Sequence, residues 1–337
     1  MRGLRIIGAG WLLASAVVLA PAGQAANAEI RLARQYGLAR LPLMIVEHER
    51  LIQKHAEAAG LTDVAVDWVA PEDGTSAIEQ VLSGKVDIVA PDLTGLATMW
   101  DRSWGTAHEM RGLGALASTP YVLVSRNPAV KTIRDFTPKD RIAVPALKLT
   151  GPAVTLEMAA AQEWGQEHYD WLASITVARP PAEATTALLA GNAGIDAHFA
   201  DAPWYDYELA QPQIHRVMDS FDIAGTHSSA LLAAPKSFHD ANPKLCAALL
   251  SALIEADTFI RNNPGEAAEI YVAMADDAQS SVEDLTDLLA DPDATYTTTP
   301  AGVMRLTTFM QRIGRIKHRP ESWKDLFFPE AHTLPGS

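Results

Sequence analysis

The sequence predicts an α/β protein built from two hinged lobes, each with a mostly parallel sheet flanked by helices. The first observation behind this prediction is the alternation of short apolar strands with amphipathic helices, which is typical of parallel α/β units. The second is length, because 337 residues exceed what one hydrophobic core usually organises. The third is a similarity between the two halves of the chain, which indicates that one kind of unit occurs twice.

The individual elements follow from apolar runs and from the residues that begin and end them. Pro42 suits the first turn of a helix, and Gly60 and Gly84 suit positions just after helix ends. The predicted helices cover 42–59, 76–84 and 150–164, with a further long helix after Asn242. The predicted strands cover 30–33, 64–69, 86–90, 121–125, 141–144, 175–178 and 229–234.

The internal similarity joins residues 77–92 to residues 184–201. Each stretch is predicted to contain a helix, a glycine, a strand that carries an aspartate, and a loop that ends in aspartate. Two similar lobes explain this pattern simply, although unrelated α/β units can also share it by chance. The expected boundaries are a signal, the first part of lobe 1, lobe 2, and the return of lobe 1 with C-terminal helices, at 1–28, 29–120, 121–226 and 227–337.

Residues 1–28 have the pattern of a secretory signal. Two arginines precede an apolar run at 6–20, and 26–28 match an A-x-A cleavage site, so we expect a mature chain that begins at Glu29. The apolar run is shorter than the roughly 20 residues that a membrane-spanning helix needs. We therefore expect a periplasmic protein that is not embedded in the membrane.

Composition excludes several classes of function. The formal net charge is −14, and such an acidic chain repels nucleic acid and favours a soluble monomer. Cys246 is the single cysteine, so the chain has neither an internal disulfide nor a thiolate zinc site. Since Cys246 lies in an apolar helical stretch, we expect a buried and inert thiol.

No catalytic motif stands out, and we expect neither an enzyme nor a bound metal or cofactor. The P-loop, the zinc-protease helix and the nucleophile elbow are all absent from the sequence. Residues 112–117 match a loose dinucleotide fingerprint, but a strand follows them where the phosphate site requires a helix. His198 lies near a strand end, and ligand contact and plain packing are both open for it because no nucleophile accompanies it.

Several stretches together carry a resemblance that covers nearly the whole mature chain. They are 77–92, 140–153, 196–203, 229–256 and 322–337. In this order and spacing they resemble the nitrate/sulfonate/taurine class of periplasmic substrate-binding proteins, which serve ABC importers. The resemblance implies a type II periplasmic-binding-protein fold, a small-molecule ligand in the cleft between the lobes, closure about a hinge, and an ABC permease with its ATPase as partners.

The resemblance also implies ligand contacts on four loops, and His227, just before the returning strand, is a further candidate. The predicted contacts are Gln35, Tyr36 and Leu41 on the first loop, Asp92 and Thr94 on the second, Lys148, Thr150 and Gly151 on the third, and His198 and Phe199 on the fourth. A hydroxyl, free N–H groups and a lysine at a helix start suit an anion. Thr150 also fits a simple N-cap, and Pro152 removes one N–H donor.

The leading functional hypothesis is capture of a small organic anion, such as a sulfonate, a nitrate-like ion or an aromatic carboxylate, for an ABC importer. One alternative cargo is a vitamin-precursor pyrimidine or a similar heterocycle, which Asp92 and Asp201 would suit. Another alternative is a periplasmic sensor partner that presents ligand to a receptor. The related pyrimidine synthases depend on a cysteine-rich segment, which this chain lacks.

Overall fold

The structure is a computed structural model that describes residues 29–70, 77–191, 194–276 and 279–337. The predicted signal at 1–28 lies outside the described residues. Within the four described ranges, no helix combines the length and the apolar character that a membrane span requires.

Strands and helices alternate along most of the chain. The strands are β1 (Glu29–Ala33), β2 (Ala65–Val69), β3 (Met110–Ser118), β4 (Val122–Ser125), β5 (Ile142–Val144), β6 (Thr176–Ala178), β7 (Ala197–Ala200), β8 (His215–Asp219), β9 (Ala230–Pro235) and β10 (Thr295–Tyr296). The helices are α1 (Leu41–His48), α2 (Leu51–Ala58), α3 (Ala77–Leu82), α4 (Leu93–Ser103), α5 (Gly151–Trp164), α6 (Pro181–Ala190), α7 (Trp204–Leu209), α8 (Ser220–Ala224), α9 (Lys236–Ala241), α10 (Pro243–Asn262), α11 (Pro264–Ala275), α12 (Val282–Leu289) and α13 (Val303–Arg312).

The sheet of lobe 1 combines early and late parts of the chain. β1 and β2 pair in parallel, and a parallel bridge between Leu32 and Ile88 adds the segment 86–90 beside β1. An antiparallel bridge between Val89 and Ala233 connects that segment to β9, which pairs antiparallel with β3. β10 completes the sheet beside β3. The predicted strand at 86–90 thus forms only two isolated bridges, one to β1 and one to β9, and these bridges join the two parts of the sheet.

The sheet of lobe 2 has the strand order β6-β5-β7-β4-β8. β5 is parallel to both β6 and β7, whereas β4 is antiparallel to β7 and β8. β4 is fully buried, as a central strand must be when helices cover both faces. β4 and β9 therefore occupy equivalent places, since each is an antiparallel strand beside three parallel ones.

The chain crosses between the lobes twice. β3 ends at Ser118 in the first sheet and β4 begins at Val122 in the second, and a later crossing joins β8 to β9. The first crossing leads directly into β4, the antiparallel strand of the second sheet. The second crossing passes through the short helix α8 and then leads into β9, the antiparallel strand of the first sheet. The predicted fold class, α/β with two lobes, is confirmed, and both sheets combine parallel with antiparallel strand pairs.

The internal similarity corresponds to equivalent positions in the two lobes. α3 is followed by Gly84 (φ 73°) and the segment 86–90, and α6 is followed by Gly191 (φ 74°) and β7. Both glycines have the left-handed conformation that ends a helix at low steric cost. In both sheets the strand that follows lies directly beside the first strand of its lobe.

In each lobe, an aspartate carboxylate on one of these neighbouring strands accepts a hydrogen bond from the backbone of the other. The Arg31 backbone N–H donates to Asp87 Oδ2 (3.0 Å), and the Arg141 backbone N–H donates to Asp196 Oδ2 (2.9 Å). The Arg31 guanidinium adds a second contact, from Nη2 to Asp87 Oδ1 at 2.7 Å. These aspartates of the repeated unit therefore hold the sheets together and are committed to structure.

Two local predictions differ from the structure. The predicted helix at 42–59 is two helices, α1 and α2, because Arg50 between them has a left-handed conformation (φ 53°). The break changes direction so that both helices pack against α10. Residues 112–117, dismissed as a dinucleotide loop, lie inside β3, where the missing side chain of Gly112 makes room for the Phe327 ring of the C-terminal segment.

We predict that Gly112→Ala lowers the free energy of unfolding by about 1–3 kcal/mol, because overpacking strains a filled core. A Cβ at this position would lie less than 3.0 Å from the Phe327 ring. Urea denaturation measures the loss. The matched control is Gly265→Ala in α11, where the nearest atom to a new Cβ is 4.0 Å away and we expect no loss. Equal stability of the two variants would contradict the close packing of β3 on Phe327.

Candidate functional site

The carboxyl ends of the parallel strands of both lobes meet at the gap between the sheets. Four loops reach this gap, and they follow β1, the segment 86–90, β5 and β7. In open α/β sheets this edge collects free N–H groups and helix N-termini, which is why ligands bind there. The side chains on these four loops, together with the crossing before β4, form the candidate site.

Asp92 joins the two lobes through its carboxylate. Oδ1 accepts from the Gly95 backbone N–H at 2.7 Å and from Thr94 Oγ1 at 2.9 Å, so Asp92 is the N-cap of α4. Oδ2 accepts from the backbone N–H of Gly151, the first residue of α5 in lobe 2, at 2.7 Å. Thr94 Oγ1 shares its single proton with the Leu149 carbonyl oxygen, also at 2.9 Å. Asp92 thus contacts two other predicted ligand contacts, Thr94 and Gly151.

The remaining groups at the start of α5 offer few donors to a ligand. Thr150 makes no side-chain cap and donates its hydroxyl to the Ala146 carbonyl oxygen at 3.0 Å. Pro152 has no N–H. Lys148 is exposed, with a left-handed backbone (φ 67°). Gly151 lies so close to Tyr121 that a Cβ would approach the phenol within 3.0 Å, which fixes the backbone at this point.

Arg40, Asp201 and Tyr121 form the charged centre of the gap. Asp201, on the lobe 2 loop after β7, is half-buried, and desolvation raises the pKa of its carboxyl. The nearby Asp92 carboxylate raises this pKa further, while Arg40 of lobe 1 opposes the shift. Burial also raises the pKa of the Tyr121 hydroxyl, and both aspartates add to that effect. Arg40 and Asp92 of lobe 1 therefore act with opposite signs on Asp201 and Tyr121 in a shared, poorly solvated space.

Gln35, a predicted ligand contact on the first loop, hydrogen-bonds to the backbone of the neighbouring segment 86–90. The Gln35 amide accepts from the Ala90 N–H at 2.8 Å and donates to the Ala90 carbonyl oxygen at 3.3 Å. Arg40 Nε donates to the same oxygen at 3.0 Å, which leaves the rest of its guanidinium directed elsewhere. Tyr36 is 44% exposed, and Leu41 is fully buried in the core of lobe 1.

His198 and Phe199 are both fully buried on opposite faces of β7. His198 Nδ1 contacts Glu208 Oε1 at 2.6 Å, and Thr185 Oγ1 donates to the same oxygen at 2.7 Å. His198 Nε2 and Glu208 Oε2 have no hydrogen-bond partner among the described residues. Phe199 packs edge-on to Tyr121 in the core of lobe 2. Both side chains are therefore held inside lobe 2 by their neighbours.

His227 lies at the second crossing and is buried. Its Nε2 contacts Ser220 Oγ at 3.0 Å, while Nδ1 has no partner among the described residues. Its ring stacks obliquely on Tyr121, with centroids 5.2 Å apart. Burial lowers the His227 pKa to about 4, so the ring is neutral at neutral pH.

Two cavities lie near the lobes' shared face. One, beside the first crossing, is lined by Thr119, Pro120 and residues of both lobes and has a volume of only about 30 Å³. The other, of about 150 Å³, lies along α5 and includes Lys148. Neither lining includes Arg40, Asp92 or Asp201, so the candidate site rests on the contacts between its side chains.

Sequence reasoning missed Arg40 and Tyr121 as site residues and named Asp201 only for the alternative cargo. Arg40 had a usable signal, since it is the one cation on the predicted first loop at 35–42. Asp201 also had one, because it ends the repeated unit as Asp92 does. Tyr121 had none, because only the tertiary structure brings the crossing against α5.

Two α/β lobes, a double crossing and a site made from both lobes define the periplasmic-binding-protein fold. The chain belongs to the NMT1-like family, whose model matches residues 24–275. The predicted resemblance to nitrate- and sulfonate-type binding proteins is thereby confirmed at the level of family and fold.

Solved structures show the same fold at low sequence identity. The alkanesulfonate-binding protein SsuA from Xanthomonas axonopodis pv. citri bound to MOPS is 16% identical, with a TM-score of 0.66 over 87% of this chain and 95% of that chain. The periplasmic aliphatic sulphonate-binding protein SsuA from Escherichia coli is also 16% identical, with a TM-score of 0.66 over 89% and 92%. The periplasmic nitrate-binding protein NrtA from Synechocystis PCC 6803 is 16% identical, with a TM-score of 0.61 over 91% and 85%. No curated protein matches the sequence significantly.

We predict that His227 makes the protein less stable in acid. Its pKa is about 4 when folded and about 6.5 when unfolded, so only the unfolded chain takes up this proton between those values. The free energy of unfolding is unaffected above pH 6.5 and falls by about 3 kcal/mol as the pH drops to 4. Urea denaturation of the wild type and of His227→Gln at pH 7 and pH 4 measures the contribution of His227 to this fall in the free energy of unfolding, because every other titrating group is common to both proteins. An equal loss in the two proteins would show that His227 is not buried as neutral imidazole.

Proposed function

We propose that the chain is the extracytoplasmic solute-binding protein of an ABC importer and that it holds a small solute between its lobes. The observation that carries this proposal is the contact of the two lobes at the candidate site, where the Asp92 carboxylate of lobe 1 accepts from the Gly151 N–H of lobe 2 at 2.7 Å. Arg40, Asp201 and the buried Tyr121 lie near enough to this contact for their charges to influence one another. A solute in this space contacts both lobes only when they are closed, so binding energy favours closure. Closure would be the signal that a permease recognises.

The family and the solved structures support this proposal. The similar structures include sulfonate- and nitrate-binding proteins, which is consistent with a small solute and with export through the segment 1–28. We further propose the lobe boundaries 29–120, 121–226 and 227–337, a monomeric periplasmic state, and an ABC permease with its ATPase as partners. The formal charge of −14 suits a protein that stays soluble and monomeric.

Two classes of solute fit the proposal to different degrees. The organic anion that the sequence predicted would use Arg40 and the start of α5. A neutral or cationic solute with N–H groups, such as a heterocycle, would use Asp201 and Asp92 as acceptors. Asp92 and Asp201 outnumber Arg40 among the charged groups of the centre, which favours the second class.

We predict that Arg40→Ala and Asp201→Asn each weaken solute binding at least about tenfold, since a hydrogen bond to a charged group contributes about 1.5–3 kcal/mol. Residues 29–337 would be stripped of carried ligand by partial unfolding. A thermal-shift screen of sulfonates, nitrate, aromatic carboxylates and vitamin pyrimidines would then select a solute for calorimetry.

The control for this prediction is Arg102→Ala, which removes an exposed arginine at the end of α4. We expect this variant to bind as the wild type does. Small-angle scattering with and without solute tests closure. If no solute across the panel stabilises the wild type, the proposed function is unsupported. If Arg102→Ala loses as much affinity as Arg40→Ala, the assignment of the charged centre is wrong.

A further inference from the structure

We propose that Asp92 determines the charge selectivity of the cleft, because its carboxylate fills the place at the start of α5 that an anionic group would take. The cleft then selects against solutes that bring a sulfonate, nitrate or carboxylate to that helix. This inference rests on the proposed function and specifies its class of solute, which is neutral or cationic at this end.

The geometry places Asp92 as an anion would be placed. Its Oδ2 lies 2.7 Å from the Gly151 backbone nitrogen, which is the distance of a charge-assisted hydrogen bond at a helix N-terminus. An incoming anion that used the same N–H would bring its oxygen against Oδ2 directly. Two negative oxygens competing for one donor repel each other in a space that is poorly solvated.

Three neighbouring groups at α5 are poor replacements for the donor that Asp92 uses. Pro152 lacks an N–H, and the Thr150 hydroxyl is turned to the Ala146 carbonyl oxygen. The exposed Lys148 keeps its hydration, which weakens its attraction for an anion in the cleft. An anion at this helix would therefore gain little that offsets the repulsion from Asp92.

Asp92 is also held in place from its own lobe. Oδ1 accepts from Gly95 N–H and Thr94 Oγ1, so the carboxylate can swing away only if α4 loses its N-cap. Losing such a cap is unfavourable, which keeps Asp92 between the two helices when a solute arrives. Asp201, the equivalent residue of lobe 2, caps no helix with its side chain and is left to face Arg40 and the solute.

The test removes the Asp92 carboxylate without uncapping α4. Asp92→Ser keeps an N-capping oxygen for α4 and is too short to reach Gly151, whereas Asp92→Asn keeps the size and removes the charge. The matched control is Glu157→Gln, which removes the same charge and breaks the ion pair between α5 and Arg315 of the C-terminal segment. The probes are methanesulfonate and nitrate, titrated by calorimetry at constant ionic strength against chloride.

We expect only weak binding of either anion by the wild type and by Glu157→Gln. Asp92→Ser should bind methanesulfonate at least about tenfold more tightly than the wild type, and Asp92→Asn should change in the same direction by less. If Asp92→Ser does not fold by circular dichroism, Asp92→Asn decides alone. Anion binding by the wild type as tight as in the variants, or no gain in either folded variant, would overturn the proposal.

These outcomes are separate from those for the proposed function. A gain of anion binding in Asp92→Ser supports the inference even if no solute of the wider panel binds the wild type. Conversely, a wild type that binds a neutral solute while neither Asp92 variant gains an anion leaves the proposed function standing and removes this inference.

Discussion

The double crossing of the chain is the constraint on which the rest of the structure depends. Because the chain enters each lobe through an antiparallel strand, β4 or β9, three neighbouring strands of each sheet can run parallel and end at the gap. Two loops of each lobe and the crossing itself then meet in one place. A single crossing would make two independent domains, whereas two crossings keep the lobes facing each other and allow them to hinge.

In this fold, the aspartates of the repeated unit have two different roles. Its strand aspartates, Asp87 and Asp196, bind backbone N–H groups of the neighbouring strand and are committed to the sheets. Its terminal aspartates, Asp92 and Asp201, lie at the gap. Asp92 caps two helices in two lobes, while Asp201 has a raised pKa and faces Arg40. The strand aspartates therefore have equivalent contacts in the two sheets, whereas the terminal aspartates have different contacts at the candidate site.

The electrostatics of the gap follow from limited solvation. Burial raises the pKa values of Asp201 and Tyr121, which weakens the tendency of either group to carry negative charge. Arg40 is the positive charge that offsets them, and its Nε is anchored to the Ala90 carbonyl oxygen. An anchored cation loses little entropy on binding, so it is suited to orienting a solute that arrives between the lobes.

Much of the architecture could be predicted because apolar patterning is local. Strands such as 141–144 and helices such as 150–164 appear within a residue or two of their predicted bounds, and Gly84 ends its helix as expected. The failures have non-local causes. The predicted helix at 42–59 breaks at Arg50, where both resulting helices pack on α10, and Gly112 of β3 leaves the space that Phe327, far along the chain, occupies.

The sequence by itself determined the class of fold, the repetition of an α/β unit and the loops that face the gap. These depend on hydrophobic periodicity and on glycine and proline, whose effects act over a few residues. Only the tertiary structure decided which loop residues face the gap and which support it. Gln35, Leu41 and His198 were predicted to bind ligand. In the structure, Gln35 hydrogen-bonds to the Ala90 backbone, Leu41 lies in the core of lobe 1, and His198 contacts Glu208. Arg40 and Tyr121 instead belong to the charged centre of the candidate site. The reason is that a side chain's partner across the gap belongs to a distant part of the chain, so its role is set by packing between lobes.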